Sequence, residues 1–224
     1  DKTTVDKLKQ ALNKDSFYGV RMAASKALRG IADEAAFKAL RASTKQPDAR
    51  VRRQVVTDVG SFYKPAALVT VKKSLAGEKN PAVRAAAIRA LSGFDDAGAD
   101  GLVRKALGST SFRHQLADAA VDALRKQDDP ANIAPLLKAL QTDSKKFTKW
   151  GFGSGMKALA YLARNEEDKA KTRRFLLDRV NHLNSRIRLA AIESLGELGD
   201  PKAIAALEKF AVDGEGSPER KNAE

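Results

Sequence analysis

Aliphatic residues recur along the chain at offsets of zero, four, five and eight from a series of starting positions. These offsets lie on one face of a helix with 3.6 residues per turn, so the pattern predicts amphipathic helices. The residue at offset four is never larger than valine, which predicts that a neighbouring helix approaches closely there. The starting positions of this repeated helix are Val20, Val51, Val83, Leu116, Ser154 and Ile187.

The repeated helix returns at steps of 31, 32, 33, 38 and 33 residues. A near-constant step of this length is typical of helical hairpins stacked as a solenoid. Another apolar stripe lies between successive copies, and a last one, at Ile204, Leu207 and Phe210, is expected to cap the stack. The sequence therefore predicts an all-α fold, an alpha-alpha superhelix of about six helical hairpins plus a capping helix, with no strands.

Capping residues and glycines separate the stripes. Asp48, Asn80 and Asp200 precede apolar stripes and are expected to cap helices or form turns. Glycine adopts the left-handed conformation that ends many helices, and the glycines expected in this role are Gly30, Gly60, Gly93 and Gly199. Residues 1–212 are predicted to form one solenoid domain, followed by a flexible polar tail at 213–224.

Composition narrows the class of protein. The chain contains no cysteine, which excludes disulfides, thiolate zinc sites and a cysteine nucleophile, and it fits the cytosol and the bacterial periplasm equally. No apolar run approaches the length of a membrane span, so no membrane association is predicted. The chain begins at Asp1 without an initiator Met, and we expect a processed boundary or a natural protein that extends upstream.

The formal net charge of +13 raises the question of an anionic partner. Strong positive charge is compatible with nucleic-acid binding, but here the excess of Lys and Arg is spread along the chain. An even spread favours a solvated basic surface, which serves solubility. A nucleic-acid footprint stays open as the second interpretation.

The repeats resemble a known family. The segment from Ile187 to Ile204 looks like a HEAT repeat of the short, phycobilin-lyase-type class, and the segment from Val83 to Leu91 resembles the same unit. The resemblance covers nearly the whole chain. It implies a fold and, since such repeats mostly hold other proteins, a protein partner rather than a reaction.

The opening of the chain carries a narrower resemblance. Residues Val5 to Ala24, with Asp15-Ser16-Phe17-Tyr18-Gly19-Val20-Arg21 at the turn, are similar to the C-terminal HEAT-like region of bacterial zinc aminopeptidases of the aminopeptidase N family. This resemblance implies a non-catalytic domain that packs on the catalytic body and shapes access to its cavity. The zinc-binding HExxH helix would then lie upstream, since this sequence has none.

Candidate binding residues cluster where the repeat spacing is longest. Interleaved cations and aromatics can stack bases or anchor a partner protein. The alternative, which we favour, is that the aromatic rings fill a gap in a distorted repeat while the lysines stay solvated. The candidate binding residues are Lys145, Lys146, Lys149, Trp150 and Phe152, and the glycines among them allow close backbone approach and positive φ.

One arginine recurs directly after the first position of the repeated helix, as Arg21, Arg52, Arg84 and Arg188. This series could bind carboxylates or phosphates. We favour a structural role, in which each arginine pairs with an acid, an amide or a carbonyl of an adjacent turn.

No catalytic constellation is visible. The two histidines, His114 and His182, lie in different repeats, so neither a metal site nor a cofactor is expected and the chain alone is not predicted to be an enzyme. The leading hypothesis is a non-catalytic interaction domain, the C-terminal part of an aminopeptidase N family metallopeptidase. The alternatives are a basic HEAT-like nucleic-acid-binding protein, in the manner of alkylpurine DNA glycosylases, and a stand-alone protein-binding scaffold.

Overall fold

A computed structural model of the chain describes residues 2–142 and 144–213, with side chains as far as Lys209. The predicted tail, residues 213–224, lies outside the described residues except for Asp213. The described residues form thirteen α-helices and no strand. The helices are α1 (Lys2–Lys14), α2 (Tyr18–Ile31), α3 (Glu34–Ala42), α4 (Ala49–Gly60), α5 (Pro65–Gly77), α6 (Pro81–Leu91), α7 (Ala97–Leu107), α8 (Gln115–Gln127), α9 (Ile133–Thr142), α10 (Lys149–Ala163), α11 (Ala170–Leu177), α12 (Ser185–Leu198) and α13 (Ile204–Asp213).

The helices alternate as the first and second members of six successive pairs, with α13 after the last pair. This arrangement confirms the predicted all-α superhelix of about six hairpins plus one further helix. Every copy of the helix predicted by the repeat is the second helix of its pair. The second helices are α2, α4, α6, α8, α10 and α12.

The chain divides into two compact units, with the division between Ala106 and Leu107. In unit 1, α4 packs between α2 and α6, and in unit 2, α10 packs between α8 and α12. The second helices of each unit thus form a continuous layer.

The small residues predicted at offset four form the centre of each unit. All of them are buried, and the residues are Ala24, Val55, Ala87, Ala120, Ala158 and Ala191. Their small size allows close packing of neighbouring helices: a Cβ added at Gly60 at the end of α4 would lie 2.6 Å from the Cβ of Ala90 on α6. Two starting positions, Val20 and Ser154, are exposed instead. For Val20, the reason is that no earlier second helix precedes α2 among the described residues.

The predicted caps are confirmed. Asp48 Oδ1 accepts a hydrogen bond from the Arg50 N–H at 2.8 Å, and Asn80 Oδ1 accepts from the Ala82 N–H at 2.9 Å. Asp200 Oδ1 accepts from the Lys202 N–H at 3.0 Å. These side chains satisfy donors that the first helical turn leaves without partners.

The prediction that glycines end helices is confirmed at Gly60 and Gly199 and wrong at Gly30. Gly199 ends α12 in the left-handed conformation, with φ of 59°. Gly30 lies inside α2, and Ala32 takes the left-handed position with φ of 57°. Gly60 is the last residue of α4, where its missing side chain makes room for α6, and Gly93 lies beyond the end of α6.

A buried carboxylate connects α2 to α4 in unit 1. Ser25 Oγ donates a hydrogen bond of 2.6 Å to Asp58 Oδ2, and Gln54 Nε2 donates to Asp58 Oδ1 at 2.9 Å. Asp58 is only 2% exposed. Burial raises the pKa of Asp58, although these two donors act in the opposite direction.

Candidate functional site

The lysine- and aromatic-rich segment belongs to α10 and the short turn before it. Thr148 caps the helix, because its Oγ1 accepts a hydrogen bond of 2.8 Å from the Gly151 N–H. The helix then runs for fifteen residues, from Lys149 to Ala163. The long repeat spacing predicted a distorted repeat at this segment, but most of the segment is regular helix.

The glycines of α10 allow neighbouring helices to approach closely. They do not adopt positive φ, which among the described glycines occurs only at Gly199. A Cβ added at Gly151 would lie 1.7 Å from Asp118 Oδ1 of α8, and one added at Gly155 would lie 2.6 Å from Leu140 Cδ2 of α9. Thr148 Oγ1 and Asp118 Oδ2 are 3.2 Å apart and hydrogen-bonded. The start of α10 is therefore tightly held against α8.

The two candidate aromatics of α10 lie in opposite environments. Phe152 is 7% exposed and packs among Phe147 and Phe175, with ring centroids 6.4 and 6.5 Å away. Trp150 is 67% exposed. Two residues along a helix correspond to a rotation of about 200°, so side chains at these positions point to different sides.

The candidate lysines separate in the same way. Lys145 and Lys149 are exposed and line, with Phe152 and Arg179, a pocket of about 480 Å³. Lys146 is half-buried. The guanidinium of Arg179 lies 3.6 Å from the centroid of the Phe175 ring, and burial lowers the pKa of Arg179. The structure thus brings three of the five candidate residues to one pocket and leaves Trp150 outside it.

Trp150 lies instead at a groove between α10 and α12. The guanidinium carbon of Arg186 is 3.4 Å from the centroid of the indole ring. The groove has a volume of about 880 Å³ and is also lined by Leu189. Lys157 and Glu193, which also line it, form an ion pair across it at 2.5 Å.

Trp150 has equivalents in the neighbouring repeats of unit 2. Phe112, Trp150 and Leu183 each lie four residues before the first position of the repeated helix, and we call these three residues the apolar row. Their side chains are 67%, 67% and 100% exposed. The sequence pattern contained this regularity, which an alignment of the turns before each second helix would have found. In unit 1, the same position carries Ser16, Pro47 and Lys79.

Two arginines of the recurring series hold the turns that carry this position. Arg188 Nη1 donates to the carbonyls of His182 and Leu183 at 2.8 and 3.2 Å. Arg52 Nη1 donates to the equivalent carbonyls of Gln46 and Pro47, both at 2.8 Å. These bonds connect each arginine to backbone five and six residues earlier, a geometry that favours the structural interpretation.

The other contacts of the series differ. Arg52 also binds Glu78 through two hydrogen bonds, of 2.7 and 3.3 Å. The buried Nε atoms of Arg21 and Arg84 have no hydrogen-bond partner among the described residues. The series therefore does not form one uniform ladder.

Within residues 2–142 and 144–213, no three His, Cys, Asp or Glu side chains lie close enough to hold a metal ion. None of the described helices has the length and apolar character that a bilayer span requires.

Comparison with protein families identifies the repeats. The profile for HEAT repeats matches residues 5–92, 70–152 and 156–224, which together cover nearly the whole chain. The chain belongs to the HEAT-repeat family. This match confirms the HEAT-like repeats predicted from the sequence. A search of curated proteins finds no match.

Three solved structures are similar to this chain at low sequence identity. The complex of CpcE and CpcF of phycocyanin lyase from Nostoc sp. is 17% identical, with a TM-score of 0.56 over 98% of this chain and 91% of that one. Human deoxyhypusine hydroxylase in complex with glycerol is 17% identical, with a TM-score of 0.41 over 99% and 93% of the two chains. An engineered protein is 18% identical, with a TM-score of 0.49 over 87% and 96%. These comparisons do not show the aminopeptidase N resemblance, which stays a prediction.

Proposed function

We propose that this HEAT-repeat chain is a non-catalytic protein-binding module and that its second unit holds the partner through the apolar row. The observation that carries the proposal is the exposure of an apolar side chain at the same position of three successive repeats. Exposed apolar patches on folded proteins commonly mark interaction surfaces. The likeness to phycocyanin lyase adds a precedent, since that structure is a complex of two proteins.

The geometry of Trp150 fits an interaction anchor. Tryptophan and arginine are enriched among the residues that dominate binding energy. Arg186 lies against the indole at 3.4 Å and restricts its rotation before a partner arrives, which lowers the entropic cost of binding. Full burial of one large apolar side chain contributes about 1.5–3 kcal/mol, so the three residues together would offset about 4.5–9 kcal/mol of the entropic cost of association.

The partner that we propose is the catalytic body of an aminopeptidase N family metallopeptidase on the same polypeptide. Support comes from the motif at Asp15 to Arg21, where Asp15 Oδ1 accepts from the Phe17 N–H at 2.8 Å. The guanidinium of Arg50 lies 3.4 Å from the Tyr18 ring centroid, and Phe17 is exposed. The motif therefore forms a hydrogen-bonded turn with the Phe17 ring outward.

Site-specific photo-crosslinking in the source cell tests both parts of the proposal. A photoreactive phenylalanine analogue replaces Trp150 or Leu183. The control replaces Lys138, an exposed residue on α9, which is the first helix of its pair. We expect cross-links from the two apolar-row positions to one defined protein surface and none from position 138. Equal yields at all three positions would contradict binding through the row.

The identity of the cross-linked peptide decides the partner. Peptides from a metallopeptidase body on a band much larger than 24.2 kDa support the aminopeptidase proposal. Peptides from an unrelated protein reject that partner and leave the binding module in place.

A second candidate function, nucleic-acid binding, rests on the charge of unit 1. Within its second helices α2, α4 and α6, Asp58 is the only acid, and it is buried. The basic residues of these helices are Arg21, Lys26, Arg29, Arg50, Arg52, Arg53, Arg84 and Arg89. This function would be supported if the logarithm of the binding constant for duplex DNA fell linearly with the logarithm of the salt concentration, with a slope of about −0.9 per phosphate contact. Failure to bind duplex DNA at roughly 50 mM salt would reject it.

A further inference from the structure

We propose that unit 1 contains a separate binding pocket for an acidic peptide segment. The pocket has a volume of about 710 Å³ and lies at the turns between α3 and α4 and between α5 and α6. We call it the basic pocket and define it by Lys45, Gln46, Lys73 and Lys79, which line it. Nothing in this proposal depends on the apolar row of unit 2.

The charge of the basic pocket is unbalanced. Lys45, Lys73 and Lys79 are exposed, and none of them forms an ion pair with a described residue. The single carboxylate of the lining, Glu78, is bound by Arg52 at 2.7 and 3.3 Å. Burial alone would raise the pKa of Glu78, but Arg52 and backbone N–H donors hold it below its usual value. Three ammonium groups therefore surround a cavity whose own carboxylate is already occupied.

A buried amide in the lining has an unpartnered acceptor. Gln46 is 4% exposed, and its Oε1 has no hydrogen-bond partner among the described residues. Leaving a buried polar atom without a partner costs about 1–3 kcal/mol. Gln46 Oε1 is itself shielded from solvent, so a ligand that displaces its covering side chains and donates an N–H or O–H to it would recover part of that cost.

Neighbouring hydrogen bonds determine the orientation of this amide. Asn13 Nδ2 donates to the Lys9 carbonyl at 2.8 Å and to Ser43 Oγ at 2.9 Å, so Asn13 Oδ1 is free to accept. Gln46 Nε2 donates to that Asn13 Oδ1 at 2.8 Å. The nitrogen of the Gln46 amide is therefore occupied, and the oxygen is the open atom.

These features select an acidic peptide among anionic ligands. An extended peptide carries backbone N–H groups for Gln46 and carboxylates for the lysines. The phosphodiester backbone of DNA offers acceptors only, so it would pair with the lysines and leave Gln46 Oε1 unpartnered. Val56 and Val83, which also line the pocket, provide an apolar wall for the methylene groups of aspartate or glutamate side chains.

Fluorescence anisotropy with a labelled hexaglutamate peptide tests the proposal on the full 224-residue chain. We expect Lys73→Ala/Lys79→Ala to weaken binding about 3- to 30-fold, since two charge pairs are lost. The matched control, Lys7→Ala/Lys26→Ala, removes the same charge from exposed positions of unit 1 outside the pocket and should change the affinity less than about twofold. Gln46→Met removes the unpartnered acceptor, together with the Nε2 donor to Asn13, without changing charge and should weaken binding about 2- to 10-fold.

The outcomes separate the alternatives. Equal weakening by the two lysine pairs, or no binding at about 1 mM peptide, overturns the proposal. A thymidine dodecamer that binds as tightly as the peptide and loses affinity with Lys73→Ala/Lys79→Ala also overturns it, because the pocket would then not select a peptide. If Gln46→Met lowers the melting temperature, the surface lysine variants still decide. Trp150→Ala should leave hexaglutamate binding unchanged, so failure of the apolar row and failure of this pocket are distinguishable.

Discussion

The contrast between Trp150 and Phe152 gives the sharpest test of how α10 is used. The two aromatic side chains lie two residues apart in one helix, yet Phe152 is buried between Phe147 and Phe175 while Trp150 is exposed. Truncation to alanine should therefore destabilise the fold at one position and affect binding at the other. The perturbations are Phe152→Ala and Trp150→Ala, each made alone.

The magnitudes follow from burial. Removal of a buried phenylalanine side chain costs about 3–5 kcal/mol, because both transfer energy and packing contacts are lost. Trp150 contacts Arg186 at an exposed site, where such a cation–π pair contributes about 0.5–1 kcal/mol. The two variants should therefore differ by roughly 2–4 kcal/mol in the free energy of unfolding.

Urea denaturation followed by circular dichroism is the appropriate assay. Trp150 is the only tryptophan, so its fluorescence is lost in one of the two variants. A change of about 1 kcal/mol corresponds to roughly 2–4 °C in melting temperature for a chain of this size. If Trp150→Ala destabilised the fold as much as Phe152→Ala does, Trp150 would be a core residue. That result would refute the assignment of Trp150 to a binding surface.

Three further variants, two of them paired with a control variant, test other parts of the fold by urea unfolding. Burial raises the pKa of Asp58. The contribution of protonated Asp58 to the free energy of unfolding is therefore fully present below the unfolded-state pKa of about 3.9, and it is lost as pH rises through the folded-state pKa. Asp58→Asn should therefore gain stability relative to wild type between about pH 4 and 7, and a relative loss would contradict this. Gly60→Ala should cost about 1–3 kcal/mol against the facing alanine methyl of α6, whereas Gly101→Ala, with nothing within 4 Å, should gain about 0.4–1 kcal/mol. Arg52→Lys should cost about 1–3 kcal/mol because the carbonyl and carboxylate bonds are lost, while exposed Arg53→Lys should stay within about 0.5 kcal/mol.

Interactions within one helical turn were readable from the sequence. The spacing of apolar residues predicted the second helices, and the small residues at offset four are buried as expected. Asp48 and Asn80 cap the helices that follow them, because the donors they satisfy lie two or three residues away in the chain. Such short-range contacts depend on the local order of residues alone.

Contacts between helices decided the rest. Gly30 was expected to end α2, but Ala32 takes the left-handed position. The sequence also grouped Trp150 with Phe152 and three lysines as one candidate site. The structure separates them, because α10 packs on α8 and α12. The residue types in this segment did not indicate which side of α10 is buried.

The basic pocket shows most clearly what only tertiary structure determines. Gln46 and Asn13 are 33 residues apart in the chain, and their hydrogen bond fixes which atom of the Gln46 amide remains open. Lys73, on another pair of helices, reaches the same cavity. The sequence by itself determined the helices, their repeat and the family, because these depend on periodic local patterns. Which side chains face a partner depends on which helices cover them, and that is settled only when the pairs stack.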